Sequence, residues 1–302
     1  MNAAGRFARH PAALASALVL LLLVLTVLLG PWVAALAGLD GDAIDLFGRL
    51  EPPGEGAPLG RDELGRDLLV RLMEGGRISL AVGVMAALLA AAIGTTLGLA
   101  AGWLGGAVDA GLMRVTDAII ALPLLPLLIV LAAIDLGKLG LGDLPGGEAG
   151  ASVLRVVVIV ALFGWTTTAR LVRAATLATR AEGYVRAAVA MGVPGHRILV
   201  RHVLPNIAAP AIVATTLAVG HVILFESVLS FLGLGVQPPS PSWGNMLAGA
   251  QDLIWEAPRL AILPGLAIFL TVVAVNFLGE GLQQALDPRG SRRITAHNRN
   301  GP

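Results

Sequence analysis

No cysteine occurs among the 302 residues, which excludes a disulfide framework, a thiolate metal site and a cysteine nucleophile. Histidine is scarce too, five in all, and none stands in an H-E-x-x-H or comparable metal spacing. Charge is thin: Asp, Glu, Lys and Arg make up 14% of the chain, against about 25% in a soluble domain. The formal net charge of +1 comes without a Lys/Arg block in an aromatic setting, so nothing points to nucleic acid. There is no G-x-x-x-x-G-K-[ST] segment to form a P-loop nucleotide site, and no serine in a G-x-S-x-G context. A membrane enzyme would need convergent acid, base or metal ligands at one depth, and none can be assembled. Internal repeats and low-complexity tracts are also missing.

What the chain does have is apolar sequence, 56% of it, gathered into long runs. A helix needs about 20 residues to cross roughly 30 Å of hydrocarbon. Six stretches qualify: Ala12–Leu36, Ser79–Ala101, Leu112–Leu136, Val153–Ala169, Ile207–Leu232 and Leu260–Leu282, the fourth being the shortest. Ala35-Leu36-Ala37 behind Arg6 and Arg9 looks like a signal-peptidase site. The apolar stretch before it exceeds the roughly 7–15 residues of a signal peptide, so an uncleaved anchor is the expectation. A cytoplasmic N-terminus puts thirteen of the 21 Lys and Arg residues inside and eight outside, and returns the C-terminus to the cytoplasm. The outer stretch Asp40–Glu74 carries nine acids. The expectation is an all-α polytopic membrane protein with six spans.

Three connections are long: 37–78, with Pro52-Pro53-Gly54; the arginine-rich Arg170–Asn206; and Gly233–Arg259, with Pro238-Pro239 and Pro241. In the second span Ala86, Ala90, Gly94, Gly98, Gly102 and Gly106 recur every four residues, giving one face of small residues. Close helix packing and the lining of a solute path are both compatible with such a face. Pro123 and Pro126 should kink the third span, as a packing bend or as a gating hinge.

The Arg170–Asn206 segment carries the strongest mechanistic signal. Thr179-x-x-Glu182 has capping-box spacing for a helix start, and Gly192 with Pro194 reads as a helix stop. The pattern predicts a helix of about three turns, with Tyr184, Ala188 and Met191 on one face, then a second helix from Pro194 to Leu204. Two readings stand: a rigid lever docking into a groove of a cytoplasmic partner, or an amphipathic loop lying on headgroups. Within the spans the candidate ionisable residue is Glu226, with His221 five residues earlier. An intramembrane carboxylate faces either a wet pathway or a structural hydrogen-bonding partner, and both roles stay open.

These residues carry a family resemblance. Tyr184-Val185-Arg186-Ala187-Ala188, Gly192 and then Leu204-Pro205-Asn206 resemble the EAA loop of ABC importer permeases, with Arg186 in place of the usual Glu. Pro58-Leu59-Gly60, Asp62-Glu63-Leu64-Gly65-Arg66-Asp67 and Gly76-Arg77-Ile78-Ser79-Leu80 resemble the entry to the transmembrane domain of dipeptide, oligopeptide and nickel permeases. Gly102–Asp109 with Met113-Arg114 and Asp117 is similar to their short cytoplasmic turn. The run from Ser230-Phe231-Leu232-Gly233-Leu234-Gly235 through Pro238-Pro239 to Ser242-Trp243-Gly244-Asn245 is similar to their fifth-span exit and outer loop. The likeness is to the C-type member of such permease pairs.

The resemblance implies a type I ABC importer permease fold in the bacterial inner membrane. It divides the chain into an N-terminal region 1–78 with the first span, a transmembrane domain 79–282 and a cytoplasmic tail 283–302. It implies a B-type permease as second subunit, two cytoplasmic ATPases that bind the ATP, and an extracytoplasmic solute-binding protein. The coupling residues it implies are Tyr184, Val185, Arg186, Ala187, Ala188, Gly192, Leu204 and Pro205, in an EAA-like loop 180–206. No cofactor in this chain is expected, and the solute is a peptide or a similar small molecule such as a nickel complex or a glutathione-like compound. A secondary transporter is the rival class, but such carriers place ion-coupling charges inside their spans, and here Glu226 stands nearly alone.

Overall fold

Backbone groups in hydrocarbon have no water to bond, so long apolar runs satisfy them internally as helices. The computed structural model describes residues 3–8, 10–134 and 147–286. Its helices are α1 (Ala3–Phe7), α2 (Pro11–Leu36), α3 (Leu68–Leu104), α4 (Gly106–Ala121), α5 (Leu124–Ala132) and α6 (Gly147–Arg180). They continue as α7 (Gly183–Ala190), α8 (Gly195–Ile198), α9 (Leu204–Phe231), α10 (Trp243–Ala250) and α11 (Arg259–Leu286). Among the described residues five helices are long and apolar enough to cross a membrane: α2, α3, α6, the continuous rod 195–231 ending in α9, and α11. A sixth crossing is present if α4 and α5 are counted as one bent span.

That bend is sharper than a kink. The two helices meet at 86°, where Leu122 is extended and Pro123 offers no donor. Pro126 does not kink anything: it falls in the first turn of α5, where a missing N–H costs nothing. The expected end of this span at Leu136 lies outside the described residues, as does the tail beyond Leu286.

Several helices overrun their apolar segments. The 37 residues of α3 start at Leu68 because the Asp67 carboxylate accepts the Val70 N–H at 2.9 Å as an N-cap. The fourth span, expected to be the shortest, is a helix of 34 residues, about 51 Å long. It passes the expected Ala169 because Arg170 and Arg173 are paired with Asp117 and Asp109 of α4.

The small-residue face of α3 packs on α6. A Cβ at Gly94 would stand 2.6 Å from the Trp165 carbonyl, one at Gly98 would fall on the Ala169 carbonyl, and one at Gly102 would meet Thr176 Cβ at 2.7 Å. Gly106 is not part of this face. Helix α3 stops at Leu104, and Gly105 and Gly106, at φ +69° and +54°, turn the chain into α4.

At the edge, α2 packs on α11 and α3. Pro31 inside α2 removes the donor that would reach the Val27 carbonyl. Arg77 of α3 supplies the missing donor, Nε to Val27 O at 2.9 Å, and its Nη2 also donates to Leu28 O at 2.5 Å.

One end of the bundle, the cap end, is covered by the 37–67 connection and by α10. Within it the buried Asp62 carboxylate accepts the Leu64 and Arg66 N–H groups, each at 2.9 Å, and Arg66 Nε at 2.7 Å. The 233–259 connection is not a plain loop. Helix α10 sits in it, started by a reciprocal capping box between Ser242 and Asn245. Trp243 is 1% exposed and donates its indole N–H to the Leu72 carbonyl at 3.0 Å. The opposite, loop end carries α7 and α8.

Candidate functional site

Three features converge on α9: a cavity, a surface lever at the loop end, and a buried carboxylate toward the cap end. The cavity measures about 840 Å3. Leu124 and Leu128 of α5, Thr166 to Thr168 of α6 and the α9 residues from Pro205 to Phe225 line it, with Gln283 and Leu286 of α11. It therefore follows α9 for most of the span. Among the described residues His221 is the ionisable group on its wall; the other polar groups are hydroxyls and amides.

The lever is built on the ends of α3 and α6. Val185 and Ala188 of α7, Ile198 of α8 and Val203 are buried together with Val172 and Ile207, against Trp103 and Leu99. Helix α7 ends in a Schellman motif: the Gly192 N–H donates to Val189 O at 3.0 Å and the Val193 N–H to Ala188 O at 3.1 Å. Gly192 takes the left-handed conformation the motif requires, φ +75°. Pro194 then caps α8.

The expected capping box is not what starts α7. Thr179 is still inside α6 and donates its hydroxyl to the Ala175 carbonyl, and Glu182 stands at the N-cap without its side chain capping the helix. The segment outside the spans is thus shorter than Arg170–Asn206, and α7 has eight residues rather than three turns. The second helix does not stop at Leu204. A π turn over Leu199–Val203 passes directly into α9, in front of Pro205, whose missing N–H disturbs the regular register there. Ala188 is buried, but Tyr184 and Met191, expected on the same face, are 47% and 75% exposed. The buried stripe is Val185 with Ala188.

Tyr184 has a different use. Its hydroxyl accepts from Asn206 Nδ2 at 3.1 Å, and its ring lies 5.9 Å from that of His202. Asn206 also lines the cavity and donates to the His202 carbonyl at 2.6 Å. One side chain therefore touches both the lever and the cavity wall. Leu204 and Pro205 lie at this junction, Leu204 exposed and Pro205 facing the cavity.

Glu226 is 0% exposed. Its carboxylate accepts the Ser79 hydroxyl at 3.0 Å and the Ser230 hydroxyl at 2.7 Å. Ser79 in turn accepts the Trp243 N–H at 3.2 Å, and Ser230 accepts the Val236 N–H at 3.0 Å. The knot ties α3, α9 and α10 together. It does not reach the described wall of the cavity, which on α9 extends through Phe225.

Sequence patterning did not single out the wall. The signal was there for Thr166-Thr167-Thr168, three consecutive hydroxyls in an apolar helix, and for the Asn206 side chain beside Pro205. The α5 contribution carries no such mark, because Leu124 and Leu128 are ordinary span residues until the 86° bend aims them inward.

Comparison with known proteins gives a consistent answer. Residues 94–292 match the model of the "binding-protein-dependent transport system inner membrane component" family. Residues 2–53 match the N-terminal TM domain of oligopeptide transport permease C. The chain is 41% identical over 285 residues to the glutathione transport system permease protein GsiD of Pectobacterium atrosepticum, covering 94% of this chain and 89% of that one. It is 39% identical to the di/tripeptide transport system permease protein DppC of Pseudomonas aeruginosa, covering 94% and 90%. The oligopeptide transport system permease protein OppC of Haemophilus influenzae is 35% identical, covering 95% and 88%. With that extent of likeness, and a helical architecture of five to six candidate spans, the chain belongs to the family of inner-membrane components of binding-protein-dependent transport systems.

Proposed function

We propose that the chain forms half of the translocation pathway of an ATP-driven importer for peptides or a similar small solute. The observation that carries this reading is the Asn206 junction, where the hydroxyl of the lever's Tyr184 is held by a residue of the cavity wall. A movement imposed on α7 from outside the spans reaches that wall through one hydrogen bond and the shared cluster around Val185 and Ile207. Tyr184, Val185, Arg186, Ala187, Ala188, Gly192, Leu204 and Pro205 are the coupling element. The loop end faces the cytoplasm, where two ATPase subunits bind and hydrolyse the ATP; this chain binds none. A second, B-type permease closes the open side of the cavity within the bilayer, and a solute-binding protein delivers solute at the cap end.

The cavity wall suits a conduit. Among the described residues, hydroxyls, amides and one imidazole offer weak hydrogen bonds along an apolar surface, and no carboxylate stands on the wall to hold a charged solute in place. The knot around Glu226 supports a structural role for that residue, since its two oxygens are already engaged by serines. An ion-coupled carrier would need such a group on the path.

The test is reconstitution. Vesicles holding this chain with its second permease, ATPases and binding protein should show ATP-dependent uptake, and vesicles holding this chain alone should show none. Uptake by the chain alone would overturn the reading.

A further inference from the structure

The arginines of residues 170–206 fall into two sets. Arg170 and Arg173 are paired with Asp117 and Asp109, and Arg180 donates to the Trp103 carbonyl and lies over its ring. Arg186 of α7, Arg197 of α8 and Arg201 of the π turn are exposed, and none has an acidic partner among the described residues. Between Arg180 and Asn206 the one acid is Glu182.

Their placement follows from what is buried. Val185 and Ala188 face inward, so at 100° per residue Arg186, Ala187 and Ala190 occupy the outward side of α7. Arg197 and Arg201, four apart, flank the buried Ile198 and stand beside the exposed Val200. Both segments bury their inner sides in one cluster, so their outer sides face the same compartment. Val189, Met191 and Val200 add exposed apolar side chains among the cations.

We infer that this face docks into an apolar cleft rimmed by carboxylates on the ATP-hydrolysing subunit. The inference rests on the lever reading above and specifies the chemistry of its partner. An unpaired cation at an interface is costly to bury unless an anion meets it, and Arg offers a fork suited to a carboxylate. Small Ala187 and Ala190 beside Arg186 leave room for an approaching backbone, while Met191 and Val200 fill apolar pockets. An anionic membrane surface is the competing occupant. The orientation disfavours it, because the side of α7 turned toward the spans is the buried Val185 and Ala188 edge and the basic side points away from them.

The experiment uses the full complex in nanodiscs, with an affinity tag on this chain, and measures retention of the ATPase subunits. Arg186→Glu, Arg197→Glu and Arg201→Glu together should lower retention at least tenfold, while Lys at the same three positions keeps it within about threefold. Retention of the wild type should weaken between 0.1 M and 1 M NaCl, as the Debye length falls from about 10 Å to about 3 Å. The same pattern is expected in neutral and in anionic lipid. Retention that ignores both charge reversal and salt overturns the acidic rim, and a loss confined to anionic nanodiscs assigns the face to lipid instead. Co-purification of the second permease shows that the triple variant is folded; if it is not, Arg186→Glu alone is read in the same way. Gly192→Val separates the two levels. If it releases the ATPases and charge reversal does not, only the acidic rim falls; if neither does, the lever reading falls as well.

Discussion

Gly192 shows how one residue sets the geometry of the lever. Beyond its own backbone and chain neighbours nothing lies within 4 Å of where its Cβ would stand, so a substitution there acts through φ. At φ +75° a β-branched residue is strained by about 1–3 kcal/mol. Gly192→Val should therefore misalign α7 against α8 without disturbing the spans. It should reach the membrane at near-normal level while ATPase binding falls about five- to 150-fold, the equivalent of that strain. Tyr184→Phe provides the contrast. It removes the acceptor for Asn206 and leaves the Schellman motif intact. ATPase binding should then persist while solute-stimulated hydrolysis drops. Equal loss of both activities in the two variants would argue against separate docking and transmission roles.

The tie between α2 and α3 is a property of elements. Pro31 leaves the Val27 carbonyl without its helical donor, and Arg77 satisfies it across the helix boundary. Arg77→Ala strands that carbonyl in an apolar setting, at a cost of about 1–3 kcal/mol. Pro31→Ala restores the helical donor, so the double variant should regain about 1 kcal/mol of that loss in detergent unfolding, read as a double-mutant cycle. Additive effects would show that the two residues act independently. What was legible in the sequence follows the same division between local and distant causes. The Gly192–Pro194 stop was legible because a left-handed glycine and a proline act within one turn. The run of α6 through Arg180 was not, since its arginines are held by Asp109 and Asp117 from another helix. Thr179-x-x-Glu182 imitated a cap while Thr179 was bonding backward inside that helix. Helix α10 was hidden between prolines, and its burial depends on Leu72 and Ser79 of α3. The cavity needed α5, α6, α9 and α11 together, and no single segment encodes such a surface.

At the scale of the whole molecule the two ends differ in charge, and the expected orientation in the membrane follows from the basic one. The cap end holds the nine acids of Asp40–Glu74, while the loop end carries Arg170, Arg173, Arg180, Arg186, Arg197 and Arg201. Lys and Arg near span ends favour the cytoplasmic side, and acids weigh little, so the loop end is expected inside. The packing fixes which markers report each end. Gln251 follows α10, which is held at the cap end by Trp243 on Leu72 and Ser79, and Arg180 closes α6 at the loop end. A reporter fused after Gln251 should therefore read as external, and one fused after Arg180 as cytoplasmic. The result bears on more than topology. ATP is cytoplasmic, so a lever on the outer side has no ATPase to meet, and its exposed arginines no docking partner. A cytoplasmic signal at Gln251 with an external one at Arg180 would remove the coupling role of α7, while leaving the family assignment and the cavity in place.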